Sequence, residues 1–474
     1  MELFSQRGAD LKKNVALLDD GTAIAYEEIV RIAQRLRPYL ERKLVFLLCQ
    51  NTPGTLLGYL SCLQVGAVPL LLDAHIAPEL LAHLASIYHP AYYYVPDDLA
   101  EATRAQLPKN APCEKVWDSE LLSSGEEGPQ LHHDLALLLT TSGSTGSPKL
   151  VRLTRRNLEE NTRSIVSYLG ITEADRPITM LPMSYSYGMS IINTHVWCNA
   201  TILLTRYDLM TLEFWRRVKE EGATSLAGIP YTYRMLSRLG LTEMELPALN
   251  TLTQAGGKLP LELHQKFGAW SLQTGRRFFV MYGQTEAAPR MGYLPPDKTL
   301  EKCGSLGIAV PGGILRLMDD AGREITQPDV VGELVYFGAN VSFGYAQEAG
   351  DLAKGDEFHG VLHTGDMARR DREGYFYIVG RKKRFIKVFG NRVNLDDAER
   401  MLSAAFPGAN FACVGRDDEL IAYTDARTEA EWDEMRDYLQ RVTNLPGKAL
   451  ALRPIARIPV NEAGKTLYSQ LPVE

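Results

Sequence analysis

LALLLTTSGSTGSPKLVRLTRRNL, residues 135–158, joins an apolar run to an unbroken row of hydroxyls and glycines and then to a lysine. Residues 135–139 read as a core strand, 140–147 hold only Thr, Ser and Gly, and a helix-like pattern opens near Thr154. A strand that ends in such a loop presents successive backbone N–H groups and hydroxyls at the carboxyl edge of a sheet. They form a concavity suited to an anion, and the dipole of a following helix strengthens it. Lys149 adds a point charge for phosphate. A plain Ser/Gly linker is the competing reading, and the position directly behind a core-like strand favours the phosphate site. GxxxxGK[ST] is absent, which excludes a Walker loop and the kinases and NTPases built on it.

Outward from this stretch, strand-length apolar runs alternate with helical patterns. Residues 44–49, 68–72, 201–205 and 225–229 read as strands, and 55–65, 78–86, 212–221 and 233–239 as helices. Such alternation predicts an α/β fold of parallel sheets covered by helices. Beyond residue 304 short alternating strands broken by Gly, Pro and Asp predict a β-rich subdomain over 304–380. A basic knot, GRKKRFIKVFGNR, follows at 380–392, then a helical pattern at 395–404. The expected division is a large N-terminal domain, 1–380, and a small α+β C-terminal domain, 381–474.

The chain has 474 residues, too many for one comfortable core, with 45% hydrophobic and 23% charged residues as in ordinary globular proteins. A net charge of −7 excludes the basic footprint of a nucleic-acid binder. The six cysteines are scattered without CxxC or Cys/His spacing, as buried thiols of a reducing compartment would be. Residues 1–13 are polar and mixed in charge, unlike a signal peptide, and no apolar stretch has the length of a membrane span. These features lead to the expectation of a soluble cytoplasmic protein.

Three more segments carry chemistry. FFVMYGQTEAAPR (278–290) ends an apolar run in an aromatic face, a hydroxyl and a carboxylate. There Tyr282 can cover a purine, and Glu286 can hold a hard cation such as Mg²⁺. LHTGDMARRDREGYFYIVGR (362–381) places Asp366 in what reads as a tight Thr-Gly-Asp turn, where a carboxylate can accept two ribose hydroxyls. PVNEAGKTLYSQL (459–471) carries Lys465 after a glycine. Each alone is matched by an ordinary surface turn.

Together and in this order, TTSGSTGSPK, YGQTE, the GEL…GY segment at 332–345, HTGD, GRKKRFIKVFGNRVN and NEAGK resemble the adenylate-forming superfamily. Its members include acyl-CoA synthetases, peptide-synthetase adenylation domains and luciferases, and the resemblance covers essentially the whole chain. It implies a two-step reaction: ATP and a carboxylic acid give an acyl-adenylate and pyrophosphate, then a thiol displaces AMP. The cofactors implied are ATP and Mg²⁺, with CoA or a phosphopantetheine arm as acceptor.

By that resemblance Thr141, Ser142, Gly143, Ser144, Thr145, Gly146 and Lys149 wrap the β- and γ-phosphates. Gly256 and Gly257 edge the adenine and acyl pockets. Tyr282 lies against adenine, followed in the nucleotide site by Gly283, Gln284 and Thr285, the last near the α-phosphate. Glu286 holds Mg²⁺, Asp366 takes the ribose hydroxyls with Arg381 nearby, and Lys465 is the catalytic lysine of adenylation, with Thr285 and Glu286 beside it in the catalytic set. Lys383 falls at the family's hinge, so the small domain is expected to be mobile. The acyl pocket draws on Tyr185, Tyr187, His195, Tyr231, Tyr233 and Gly256, with Gly256 leaving the floor open.

Two departures bear on the substrate. LPMSYSYGMS puts Tyr185 where many relatives carry His, and Ser186 where amino-acid-activating relatives carry Asp, which weakens an amino-acid substrate. The short C-terminal domain leans the expectation for the acceptor towards a separate carrier protein. Stand-alone amino-acid adenylation and a non-catalytic nucleotide-binding homologue are the alternatives.

Overall fold

The computed structural model describes residues 10–108, 113–140, 149–388, 391–416, 419–425, 429–443, 445–460 and 466–472. Among them, residues 10–140, 149–315 and 336–362 gather into one compact unit, and 316–335 with 363–472 into a second.

The first unit is built on two large sheets. One has eight strands in the order Tyr345–Ala346, Leu150–Thr154, Leu135–Thr140, Val68–Asp73, Leu44–Cys49, Tyr92–Pro96, Ser119–Ser123, Cys113–Val116. Its centre is parallel and its edges antiparallel, so the expectation of parallel sheets holds only for the middle strands. Leu44–Cys49 is buried at every residue, as a parallel strand covered on both faces must be. The helix Pro53–Val65 covers this centre and is itself buried nearly all round.

The second sheet runs Ser225–Gly228, Thr251–Gln254, Arg277–Gly283, Arg290–Tyr293, Ile308–Ala309, parallel through the first three strands and antiparallel after them. The helices Arg155–Leu169 and Ser186–Trp197 pack on each other, and their apolar residues share a core with this sheet. Thr154 opens the first of these helices with a capping box: its Oγ1 accepts from Asn157 N at 3.1 Å, and Asn157 Oδ1 accepts from Thr154 N at 2.8 Å.

Residues 314–381 contribute a four-stranded sheet in the order Ile314–Met318, Gly332–Phe337, Val361–Arg370, Phe376–Arg381. The C-terminal part of the second unit packs the helices Leu395–Ala405 and Glu429–Thr443 beside a sheet of Phe411–Arg416, Glu419–Thr424 and Leu450–Pro454 around one apolar core. Among the described residues, no helix is long and apolar enough to cross a membrane.

Candidate active site

The stretch that opened the reading is a β-hairpin. Leu135–Thr140 pairs antiparallel with Leu150–Thr154, with Thr140 opposite Leu150 and Leu135 opposite Thr154. The helix therefore starts at the opposite end of this strand pair from Thr140 and Leu150, about 15 Å away at 3.3 Å per residue. This corrects the expectation that its dipole strengthens the phosphate site, since helix-end charge fades within the first turn. Thr141, Ser142, Gly143, Ser144, Thr145, Gly146 and Lys465 lie outside the described residues, as does the side chain of Lys383.

Lys149, at the hairpin's described edge, sits over the ring of Tyr345 with its ammonium 5.3 Å from the centroid. Tyr345 Oη in turn donates to Glu286 Oε1 at 2.8 Å. Burial, and then the Glu286 charge, hold the Tyr345 phenol far above its ordinary range, so it remains a donor. Three separate motifs thus meet within one unit. The second Glu286 oxygen makes no hydrogen bond among the described residues, so its chemistry would suit a hard cation such as Mg²⁺.

The Glu286 segment is held by main-chain carbonyls. Asn340 Nδ2 donates to Ala287 O at 2.6 Å and Arg290 O at 3.0 Å, while its Oδ1 accepts from Tyr336 Oη at 2.7 Å. Asn161 Nδ2 also donates to Arg290 O at 2.9 Å, and Ser342 N to Glu286 O at 2.8 Å. Gly283 is needed for close approach, because a Cβ there would sit 2.0 Å from Pro289 O. Gln284 Nε2 donates to Tyr282 Oη at 3.4 Å, and Thr285 Oγ1 lies 3.3 Å from Ser186 Oγ.

Among the expected pocket residues, Tyr185 caps the helix Ser186–Trp197 and reaches Gly256, where an added Cβ would lie 2.5 Å from Tyr185 Oη. Gly256 has φ +80°, and the floor expected to be open there is filled by Tyr185. Tyr187 Oη donates to Thr253 Oγ1 at 2.7 Å. Tyr233 is fully buried and donates to Thr253 O at 2.9 Å, so it is part of the packing. Tyr231, on the same helix, is 54% exposed. Tyr187 and His195 line a cavity of about 560 Å³, its opening to solvent included, between the two helices and the five-stranded sheet. Burial holds His195 down to about 4, and its Nδ1–H donates to Ile191 O at 2.8 Å, so the ring is neutral at pH 7.

In the second unit Asp366 is buried and pairs with Arg381, Oδ1 to Nε at 2.8 Å, directly across the Val361–Arg370 and Phe376–Arg381 ladder. The Thr-Gly-Asp segment is no turn: it lies inside a ten-residue strand, in which Gly365 has φ +68°. Positive φ at one glycine looks in sequence like a turn, yet here it only kinks the strand.

Two residues that sequence reasoning missed stand out. Arg152 is fully buried, and donates to Phe343 O at 2.8 Å and Tyr345 O at 3.1 Å while pairing with Glu357, which fastens the Tyr345 segment to the hairpin. An arginine inside the apolar run LVRLT was its signal. Arg290, at the end of the 278–290 stretch, lines the cavity and has no such local signal.

Residues 4–346 match the AMP-binding enzyme family, and the chain belongs to it. Among curated relatives, feruloyl-CoA synthase of Amycolatopsis sp is 28% identical over 96% of this chain and 95% of its own length. Indoleacetate–CoA ligase of Aromatoleum aromaticum is 27% identical over 84% and 81%. Among solved structures, o-succinylbenzoate CoA synthetase of Bacillus subtilis in complex with its acyl-adenylate shares the fold, with TM-score 0.75, 21% identity, and coverage of 97% and 95%.

Proposed function

We propose that the chain is an AMP-forming acid–thiol ligase, joining a carboxylic acid to ATP and passing the acyl group to CoA. The observation that carries this reading is the Lys149–Tyr345–Glu286 line, which joins a cation to a carboxylate whose second oxygen has no hydrogen-bond partner among the described residues. Support also comes from relatives named as CoA ligases. Those names move the acceptor from a carrier protein, favoured on chain size alone, to CoA. A thiol acceptor of this kind and the free cysteines among the described residues accord with a cytoplasmic setting.

The chemistry needs positioning and charge neutralisation more than covalent catalysis. A carboxylate is a poor electrophile, and attack of its oxygen on the α-phosphorus expels pyrophosphate and makes AMP the leaving group. Thr141 to Gly146 and Lys149 would hold the β- and γ-phosphates, Tyr282 the adenine, Thr285 the α-phosphate, and Asp366 with Arg381 the ribose. Mg²⁺, when bound at Glu286, would neutralise phosphate charge. Lys465 would bridge the acid and the α-phosphate while charge builds there.

The N-terminal domain, 1–380, and the mobile C-terminal domain, 381–474, would meet at Lys383. Support comes from its flanks: Lys382 Nζ donates to Glu333 Oε2 at 2.8 Å, whereas Arg384 Nε donates to Asp396 Oδ1 at 2.8 Å. Lys383 is thus the changeover between two anchors.

ATP–pyrophosphate exchange with a panel of carboxylic acids tests the activity, and no exchange with any acid would reject it. In Lys465→Ala, exchange should fall by roughly 10²–10³-fold while thioester formation from supplied acyl-AMP survives. Equal loss of both halves would reject that role.

A further inference from the structure

Arg290 is 3% exposed, its Nη2 is buried without a hydrogen-bond partner, and it forms no ion pair among the described residues. Its guanidinium lies 4.0 Å from the ring centroid of Tyr187. An arginine cannot neutralise itself by losing a proton, and the groups beside it, the Tyr187 ring and the Tyr168 hydroxyl, offer it no negative charge. The charge is felt by its neighbours. Burial pushes up the phenols of Tyr168, Tyr185 and Tyr187, the last to about 12, and in each the Arg290 charge is the chief opposing influence. Tyr168 Oη accepts a hydrogen bond from the Arg290 side chain and donates to Met281 Sδ at 2.9 Å.

The other charged groups of the cavity are already engaged. Arg277 donates to Leu169 O and Thr251 Oγ1, both at 2.7 Å. Asp175 accepts from Thr172 N at 2.8 Å and from Thr224 Oγ1 at 3.3 Å. These two lie at the start of the parallel strands, where Arg277 begins its strand, whereas Arg290 pairs with Gly283 at the strand's end. The Arg290 backbone is therefore one strand spacing, about 5 Å, from the backbone that leads into Gln284, Thr285 and Glu286.

We infer that the cavity takes a dicarboxylic acid, whose second carboxylate lies a few bonds from the reacting one and is bound bidentately by Arg290. This rests on the ligase reading and names its substrate class. The planar fork of a guanidinium matches a carboxylate, and its position beside the strand end sets the short spacing between the two acid groups. The rest of the cavity is largely apolar, as at Ile165, Leu169 and Ile191, and suits the carbon frame.

The test is calorimetric titration of the full chain with matched pairs, succinate against butyrate and glutarate against pentanoate. The diacid should bind at least tenfold more tightly than its partner. Arg290→Met should abolish that preference, while Arg290→Lys keeps part of it. Four results would overturn the inference: equal binding within each pair, a preference that persists in Arg290→Met, equal weakening of both members in that variant, or no binding of any of the four acids. The wild-type comparison stands even if a variant fails to fold. Pyrophosphate exchange with the same acids separates the two readings. Diacid binding without exchange rejects the ligase and keeps the site, whereas exchange with no diacid preference rejects the site and keeps the ligase.

Discussion

The two units secure their functional segments by different physics. In the first, residues 285–290 are held by neutral amides: Asn340 and Asn161 donate to carbonyls, and Tyr336 completes Asn340. In the second, the half-buried Arg384 sits among Asp396, Glu399 and Cys413 O, with its guanidinium 3.7 Å from the centroid of Tyr468. Glu399 also accepts from Cys413 N at 2.7 Å and Tyr468 Oη at 2.9 Å. A neutral clamp is indifferent to pH, and each of its bonds can be lost singly. A largely desolvated ion cluster weakens as a whole when one charge is removed, because the other stays behind unpaired. The ion cluster joins the segment after Lys383 to Tyr468, three residues beyond Lys465.

The strongest way to break this comparison is Arg384→Met. It should cost the second unit about 3–5 kcal/mol, seen as faster amide exchange in the helix Leu395–Ala405. Burial already holds the Glu399 carboxyl above its usual range against the pull of Arg384. Without Arg384 the folded state binds a proton there that the unfolded chain releases above about pH 4.3. The loss should therefore be larger at pH 8 than at pH 5, and the same loss at both would contradict the ionic account.

Acid should act on the first unit through two histidines instead. His195 and His264 are both held down to about 4 by burial. The unfolded chain protonates them near pH 6.5 and the folded one does not, so stability is full above that pH and falls as pH drops towards 4. The loss is about 3 kcal/mol apiece. His264→Gln should flatten that slope in a denaturation series.

Asn340→Leu strikes the neutral clamp. Two carbonyls lose a donor and Tyr336 loses its acceptor, at a cost of about 2 kcal/mol with no pH dependence. A pH-dependent loss would mean that charge has a part in the clamp. The smallest effect is expected from Tyr345→Phe, which removes one bond to Glu286 at a cost of about 1 kcal/mol. It should also shift the Mg²⁺ dependence of exchange a few-fold, and an unchanged metal titration would separate Tyr345 from the metal site.

Elements were legible where local pattern is strong. The run 44–49 is the strand Leu44–Cys49, 68–72 becomes Val68–Asp73, and the helix expected over 395–404 is Leu395–Ala405. Fully apolar stretches of strand length have few other ways to bury themselves. Partners were not legible. Glu286 meets Tyr345 across 59 residues, and Asp366 meets Arg381 only because two strands pair in that register. The helix expected to open near Thr154 is Arg155–Leu169, whereas the turn read at Asp366 lies inside a strand: a glycine reports local backbone freedom, not what the next strand pairs with.

Sequence by itself determined the family, the order of the motifs and the residue types available for chemistry, because these are properties of the chain's own order. Tertiary structure alone decided that Leu135–Thr140 and Leu150–Thr154 pair antiparallel, that Lys149, Tyr345 and Glu286 converge, and that Arg290 is buried without a counter-ion among the described residues beside an apolar cavity. Burial and pairing depend on which distant residues surround a group, and they are what turn an ordinary arginine or glutamate into a site.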